Sequence, residues 1–172
     1  MDTSYKSTLH HYMQTDDYRK ALEWLEKNLP NQINCYGLID PDLPTILRGI
    51  GEVCAKKCDY TLALGFLQNA QEIQKRSPPS NPIELPETET AIGLVLTSLG
   101  NYGKALASLN EALTIQNTML CENHPDIALT KRAIGDVYLA KQLYNKAHEQ
   151  YQEALDIQKN CLSRNHPEIA KT

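Results

Sequence analysis

The sequence predicts an all-α fold in which antiparallel pairs of helices are stacked one after another. The first observation is a repeat, because residues 123–130 read NHPDIALT and residues 165–172, which lie 42 positions later, read NHPEIAKT. The same offset aligns IGEVC at residues 50–54 with IGLVL at 92–96 and IGDVY at 134–138. A fixed period of about 20 to 50 residues is typical of stacked supersecondary units. Because 172 residues correspond to about four periods of 42, the repeat accounts for nearly the whole chain.

The first helix of each unit, helix A, is clearest in the third copy of the repeat. Pro125 fits the first position of a helix, where its missing N–H group is not needed. Asp126 places negative charge at the positive end of the helix dipole. The apolar residues Ile127, Ile134 and Val137 then recur at the intervals that a buried helical stripe requires.

The second helix of each unit, helix B, begins at a tyrosine after a short polar break. Side chains at helical core spacing recur along it, and we interpret them as packing residues. They are Tyr18, Tyr60, Tyr102 and Tyr144, together with Ala21, Ala63, Ala105 and Ala147. Asp17, Asp59 and Asn101 precede three of these tyrosines, and each is expected to accept a hydrogen bond from a free backbone N–H group. Leu143 precedes the fourth, so the last helix B is expected to be less well capped.

Glycine recurs inside helix A, at Gly51, Gly93 and Gly135. A glycine within a helix costs about 1 kcal/mol relative to alanine, so three of them need a structural reason. We expect a close approach of helix B, with the small side chains of its alanine series facing these glycines.

The repeat predicts a single array over residues 1–172. Its approximate units are residues 2–43, which form the weakest copy, 44–85, 86–127 and 128–169, while residues 167–172 begin a further, truncated helix. The proline-rich segment 77–87 keeps the 42-residue frame and is interpreted as an inter-repeat loop. We therefore expect a fragment of a longer array, with an uncovered apolar face around Tyr151, Leu155 and Ile157. Such a face favours self-association through the C-terminal repeat.

Composition and charge exclude several classes of partner. The net charge of −4 and the pI near 5.7 give no electrostatic footprint for nucleic acid or anionic lipid. The longest mostly apolar stretch, residues 91–99, is about half as long as a membrane span, and the polar N-terminus lacks the apolar core of a secretory signal. Five scattered cysteines indicate reduced thiols and a cytoplasmic protein.

Catalytic, metal and cofactor sites are not predicted. His124 and His166 each precede a proline at a helix start, which favours a turn or capping residue over a general base. No cluster has metal-ligand spacing, and no glycine-rich loop is present that could bind a nucleotide. The sequence therefore predicts a protein that is not an enzyme and that holds no cofactor or metal.

The paired helices, the glycine in helix A, the tyrosine that opens helix B and alanine pairs such as Ala105 and Ala112 resemble the tetratricopeptide repeat. The period of 42 residues and the loop pattern N-H-P-[DE]-I-A are similar to the kinesin light chain variety of that family. The resemblance implies a right-handed superhelical solenoid whose A helices line a concave groove for an extended or short helical peptide. It also implies an adaptor or scaffold.

Two columns of helix A residues lie on the expected groove face. One column contains Lys6, Arg48, Thr90 and Arg132, and the next contains His10, Glu52, Leu94 and Asp136. One interpretation is a cationic row that binds acidic side chains or the C-terminal carboxylate of a partner peptide. The alternative is that each arginine pairs with the acidic residue four positions later, with no ligand involved. Many peptide-binding members carry asparagines where this chain has Arg48, Thr90 and Arg132, so the groove is expected to bind differently or not at all.

The sequence therefore predicts a non-catalytic protein–protein interaction module, an adaptor or scaffold, that binds a peptide or protein segment in the groove. The alternative function is a structural or regulatory repeat segment of a larger enzyme or signalling protein, which mediates self-association or intramolecular docking. Both functions require a protein partner, and neither involves nucleic acid or a membrane.

Overall fold

The computed structural model describes residues 17–24, 42–76 and 81–165, together with the single residues 11, 15 and 27, and for residues 162–165 it describes the backbone alone. Every regular element within these ranges is an α-helix, which confirms the all-α fold class. Residues 18–24 form an N-terminal helical segment. Six longer helices follow, which are α1 (Leu43–Lys56), α2 (Tyr60–Arg76), α3 (Glu84–Ser98), α4 (Tyr102–Met119), α5 (Pro125–Ala140) and α6 (Tyr144–Asn165).

The six helices form three antiparallel pairs, each consisting of a helix A and a helix B. Residues 57–59, 99–101 and 141–143 form the turns within α1–α2, α3–α4 and α5–α6 respectively. Because each turn is so short, the second helix of a pair must fold back along the first, and the two are in contact throughout. The predicted helix pairs are therefore present in the described chain.

The three turns share one geometry, in which the helix C-terminus is closed by a Schellman motif. In the first turn, the N–H group of Cys58 donates to the carbonyl oxygen of Ala55 at 3.0 Å, and the N–H group of Asp59 donates to that of Cys54 at 3.0 Å. The same two bonds recur 42 and 84 residues later. The motif needs a left-handed residue at its centre, and the residues there are Cys58 (φ 63°), Gly100 (φ 75°) and Gln142 (φ 59°).

The chain forms two compact units, Met1–Ser80 and Asn81–Thr172, and each has its own core. In the first unit α1 packs on α2, and the N-terminal helical segment reaches α2 where Leu22 lies against Gly65. In the second unit α5 contacts both α4 and α3, so the pairs α3–α4 and α5–α6 form one body. The alanine series is buried as expected, at Ala21, Ala63, Ala105 and Ala147.

The helix A glycines lie against helix B, but mainly against a different residue from the one expected. A Cβ atom would lie 2.8 Å from Leu67 Cγ at Gly51, 2.5 Å from Leu109 Cγ at Gly93 and 2.5 Å from Tyr151 Cε1 at Gly135. The facing side chains are thus large ones, four residues beyond the alanine series. Only at Gly51 does the alanine approach as closely, through the carbonyl oxygen of Ala63 at 3.1 Å. The glycines make room for large side chains that fill the space between the two helices.

The capping residues of helix B behave differently in different repeats. Asp59 Oδ1 accepts from the N–H group of Leu62 at 3.2 Å, and Asp17 Oδ1 accepts from that of Lys20 at 3.4 Å, as expected. Asn101 makes no side-chain capping bond, so that prediction is wrong. Tyr144 is also not a packing residue, because 63% of it is exposed.

Candidate functional site

The A-type helices α1, α3 and α5 carry six of the eight residues that the sequence assigns to a partner-binding groove. Lys6 and His10 lie outside the described residues. Arg48 and Glu52 lie on α1 in the first unit. The other four lie in the second unit, and we name them the α3–α5 side: Thr90 and Leu94 on α3, and Arg132 and Asp136 on α5.

On α1 the arginine of the first column pairs with the acid of the second. Arg48 Nη1 donates to Glu52 Oε1 at 2.8 Å, and the arginine side chain is only 21% exposed. This is the i,i+4 surface pair that the sequence leaves open as an alternative, and such a pair contributes about 0.3–0.5 kcal/mol. The guanidinium of Arg48 is thereby partly neutralised by its own helix.

On α5 the acid is bound by a tyrosine instead of by the arginine four positions earlier. The hydroxyl group of Tyr151 donates to Asp136 Oδ1 at 2.7 Å, and its ring lies against Gly135. Partial burial raises the pKa of Tyr151 to about 12, the bond to Asp136 and its charge add to the rise, and Arg132 opposes it. Arg132 is exposed and forms no ion pair or hydrogen bond through its side chain with any residue that the structure describes.

Thr90 joins the two A-type helices of the second unit. Its Oγ1 lies 3.2 Å from Thr130 Oγ1 on α5 and donates to the carbonyl oxygen of Pro86 at 2.8 Å. Thr90 is therefore a contact between helices rather than a free groove residue. Leu94, one turn further along α3, is 45% exposed. The α3–α5 side thus offers an apolar side chain and an unpaired cation on neighbouring helices.

Tyr151 is the one member of this arrangement that the sequence did not assign to the site. It belongs to helix B, and its spacing identifies it as a core residue. The signal that could have found it is the residue type, because the equivalent positions 42 and 84 residues earlier are Leu109 and Leu67. A hydroxyl group at a leucine position needs a hydrogen-bond partner when it is partly buried, and Asp136 provides one.

Other chemistry in the described chain is structural. His124 is the N-cap of α5, and its Nδ1 accepts from the N–H group of Asp126 at 3.2 Å, as expected for a capping residue. Within the described ranges, no three histidine, cysteine or acidic side chains gather closely enough to hold a metal ion. None of the described helices is both long and apolar enough to cross a membrane.

Comparison with protein families and solved structures extends these observations. Residues 84–160, which run from α3 into α6, match the family model of the tetratricopeptide repeat. Comparison with curated protein sequences gives no significant match. Among solved structures, BtubC (BKLC) from P. vanneervenii has a TM-score of 0.67 and 21% identity over 91% of this chain. This chain spans 63% of the length of BtubC.

Two further crystal structures come from a Podosopora anserina protein assigned as a kinesin light chain with nearly identical tetratricopeptide-like repeats. One, a variant, has a TM-score of 0.66 and 18% identity, and covers 93% of this chain and 76% of that one. The other has a TM-score of 0.65 and 17% identity, and covers 95% and 76% respectively. The suspected family resemblance is confirmed: residues 84–160 are tetratricopeptide repeats, and the chain has the helical-repeat fold of kinesin light chain-like structures.

Proposed function

We propose that the chain is a non-catalytic adaptor or scaffold module whose α3–α5 side binds a peptide or protein segment that carries an acidic group beside an apolar one. Tetratricopeptide repeats are generally protein–protein interaction modules without catalytic activity, and residues 84–160 are such repeats. The acidic partner and the role of Arg132 are the specific part of the proposal. A cytoplasmic location remains a prediction, based on the odd and scattered cysteine set.

The state of Arg132 is the single observation that carries the proposal. An arginine beside a carboxylate on the same helix usually pairs with it, as Arg48 does with Glu52. On α5 the carboxylate of Asp136 already accepts the Tyr151 hydroxyl, so Arg132 stays available in solvent. A guanidinium group in this state can form a bidentate pair with an incoming carboxylate.

The neighbouring apolar side chains favour a peptide over a small anion. Leu94 on α3 is 45% exposed, and Leu139, three positions after Asp136 on α5, is 48% exposed. Apolar contacts supply most of the affinity in peptide recognition, while a charged pair fixes register and specificity. The expected ligand is therefore a segment in which an aspartate or glutamate stands close to a large apolar residue.

Selection from a displayed library of random peptides tests the proposal. Peptides that bind the full chain should be enriched in an acidic residue next to leucine, isoleucine or an aromatic residue. Arg132→Glu should weaken the selected peptides by about tenfold or more, which corresponds to about 1.4 kcal/mol. The remaining affinity should depend less on salt concentration, because a screened charge pair has been lost.

Two variants serve as controls for this experiment. Lys104→Glu changes the net charge by the same amount at an exposed position on α4, so it should leave affinity within about threefold of the wild type. Arg48→Glu should have a smaller effect than Arg132→Glu, since Arg48 is already paired with Glu52. Equal losses for Arg132→Glu and Lys104→Glu would show that only the overall charge matters and would remove Arg132 from the site.

A further inference from the structure

The outer side of α6 carries side chains that are more exposed than their counterparts one repeat earlier, on α4. Leu155 is 43% exposed, whereas the equivalent Leu113 is half-buried. Gln158 is exposed, whereas the equivalent Gln116 is 2% exposed. Two aromatic residues show the same difference. The four members of this α6 outer side are Tyr144, Tyr151, Leu155 and Gln158, and their counterparts are Tyr102, Leu109, Leu113 and Gln116.

The difference follows from what packs on each helix. Helix α4 contacts α3 within its own pair and α5 of the following pair. Helix α6 contacts α5 within its own pair, in the same way as α4 contacts α3. Within the described residues no helix stands to α6 as α5 stands to α4. The α6 outer side is thus the counterpart of a surface that elsewhere in this unit is covered by a helix of type A.

We propose that the α6 outer side is a docking site for an amphipathic helix with the pattern of α5, supplied by a partner protein. The argument is continuity with the α4–α5 interface. The buried side chains of α5 are aliphatic or small, and include Ile127, Ala133, Ile134 and Val137. A helix with isoleucine, alanine and valine at those spacings presents the same surface to α6 that α5 presents to α4.

The chemistry of the α6 outer side fits such a helix better than an extended or charged ligand. Its members are aromatic, aliphatic or amide side chains, and none of the four carries a charge. Leu155 occupies the middle of the row, and a leucine at an otherwise polar helix surface is the group whose burial contributes most to docking. This site lies on helix B and does not include the α3–α5 side, so either proposal can fail alone.

A peptide with the sequence of residues 123–140, which contains all of α5, is the probe for this site. Its fluorescently labelled form should bind the full chain saturably in an anisotropy titration. Leu155→Gln keeps a helix-forming residue of similar length, so it should leave the fold intact and weaken the peptide at least fivefold. Leu129→Gln is the matched control, because Leu129 is 44% exposed on α5, and it should leave the affinity unchanged.

Three results would overturn the proposal. They are the absence of saturable binding, equal weakening by Leu155→Gln and Leu129→Gln, and a chain dimer that is lost in Leu155→Gln and does not compete with the peptide. The last result, measured by analytical ultracentrifugation, would assign the α6 outer side to a second copy of this chain. Circular dichroism spectra of both variants should match the wild type, and Leu155→Lys provides a second substitution if the first changes the spectrum.

Discussion

Replacing Gly51 by alanine tests whether the helix A glycines are required by the close approach of helix B. The added Cβ would lie 2.8 Å from Leu67 Cγ, 3.0 Å from Leu67 Cδ2 and 3.1 Å from the carbonyl oxygen of Ala63. Both Leu67 and Ala63 are fully buried. Rotation of the leucine relieves only the first two contacts, because the carbonyl contact is fixed by the backbone of α2.

Two opposing effects set the size of the change. Alanine is about 1 kcal/mol more favourable than glycine inside a helix. Forcing an extra methyl group into a packed core costs about 1–3 kcal/mol. Gly51→Ala should therefore lower the free energy of unfolding by about 0–2 kcal/mol. Gly49 is the matched control on the same helix, because nothing lies within 4 Å of its Cβ position. Gly49→Ala should raise the free energy of unfolding by about 1 kcal/mol.

Guanidinium chloride denaturation followed by circular dichroism measures both changes under the same conditions. A second background, Leu67→Ala, separates the side-chain contact from the carbonyl contact. In that background Gly51→Ala should cost about 1 kcal/mol less, which appears as a coupling energy in a double-mutant cycle. Equal stabilisation by Gly51→Ala and Gly49→Ala in the wild-type background would refute the steric reasoning.

The remaining predictions concern one turn, one hydrogen bond and one buried amide. Gln142→Gly should raise the free energy of unfolding by about 1 kcal/mol, because glycine adopts the left-handed φ of 59° without strain, and Gly100→Ala should lower it similarly in thermal denaturation. Tyr151→Phe should lower the free energy of unfolding by about 1.5 kcal/mol at neutral pH. Folding raises the pKa of Tyr151 to about 12, so its contribution is complete below pH 10 and is lost as the pH rises towards 12; a wild-type-to-variant difference that stays constant in urea denaturation across that range would contradict the assignment. Gln116→Met should raise the free energy of unfolding by about 1 kcal/mol, because its buried Oε1 has no partner among the described residues, while the exposed Gln158→Met should change it by less than about 0.5 kcal/mol.

The helix pairs were predictable because a fixed period and a helical apolar stripe both depend on side chains that the sequence states directly. Pro125 begins α5 and His124 caps it, as the N-H-P pattern indicates. The buried alanine series follows from the same periodicity. These features are local, since each depends on residues within one or two helical turns of one another.

The turn geometry was not predictable because only one of its three central residues is a glycine. Gly100 alone signals a left-handed conformation, while Cys58 and Gln142 adopt it at a cost of about 1–2 kcal/mol each. The Schellman hydrogen bonds and the short connection impose the conformation there. Tertiary constraint in these two turns overrides residue preference.

The start of α3 shows a different limit. The segment 77–87 reads as an inter-repeat loop, but α3 begins at Glu84 and includes Pro86. A proline in the first turn of a helix is tolerated, because the first four N–H groups have no intrahelical partner in any case. A proline count therefore placed the helix boundary too late. The identity of the residues facing the glycines was likewise hidden, since it depends on the relative height of two helices and not on the spacing within either one.

The candidate site illustrates why departures from the repeat carry more functional information than the repeat itself. The same two positions hold Arg48 and Glu52 on α1, and Arg132 and Asp136 on α5, so the periodic pattern predicts the same ion pair twice. The pair forms once, because on α5 a tyrosine replaces leucine on the facing helix and takes the carboxylate. One substitution in helix B thereby changes whether an arginine on helix A is available to a ligand. In a repeat protein, the residues that decide where a partner binds therefore include core positions on helices that the partner does not touch.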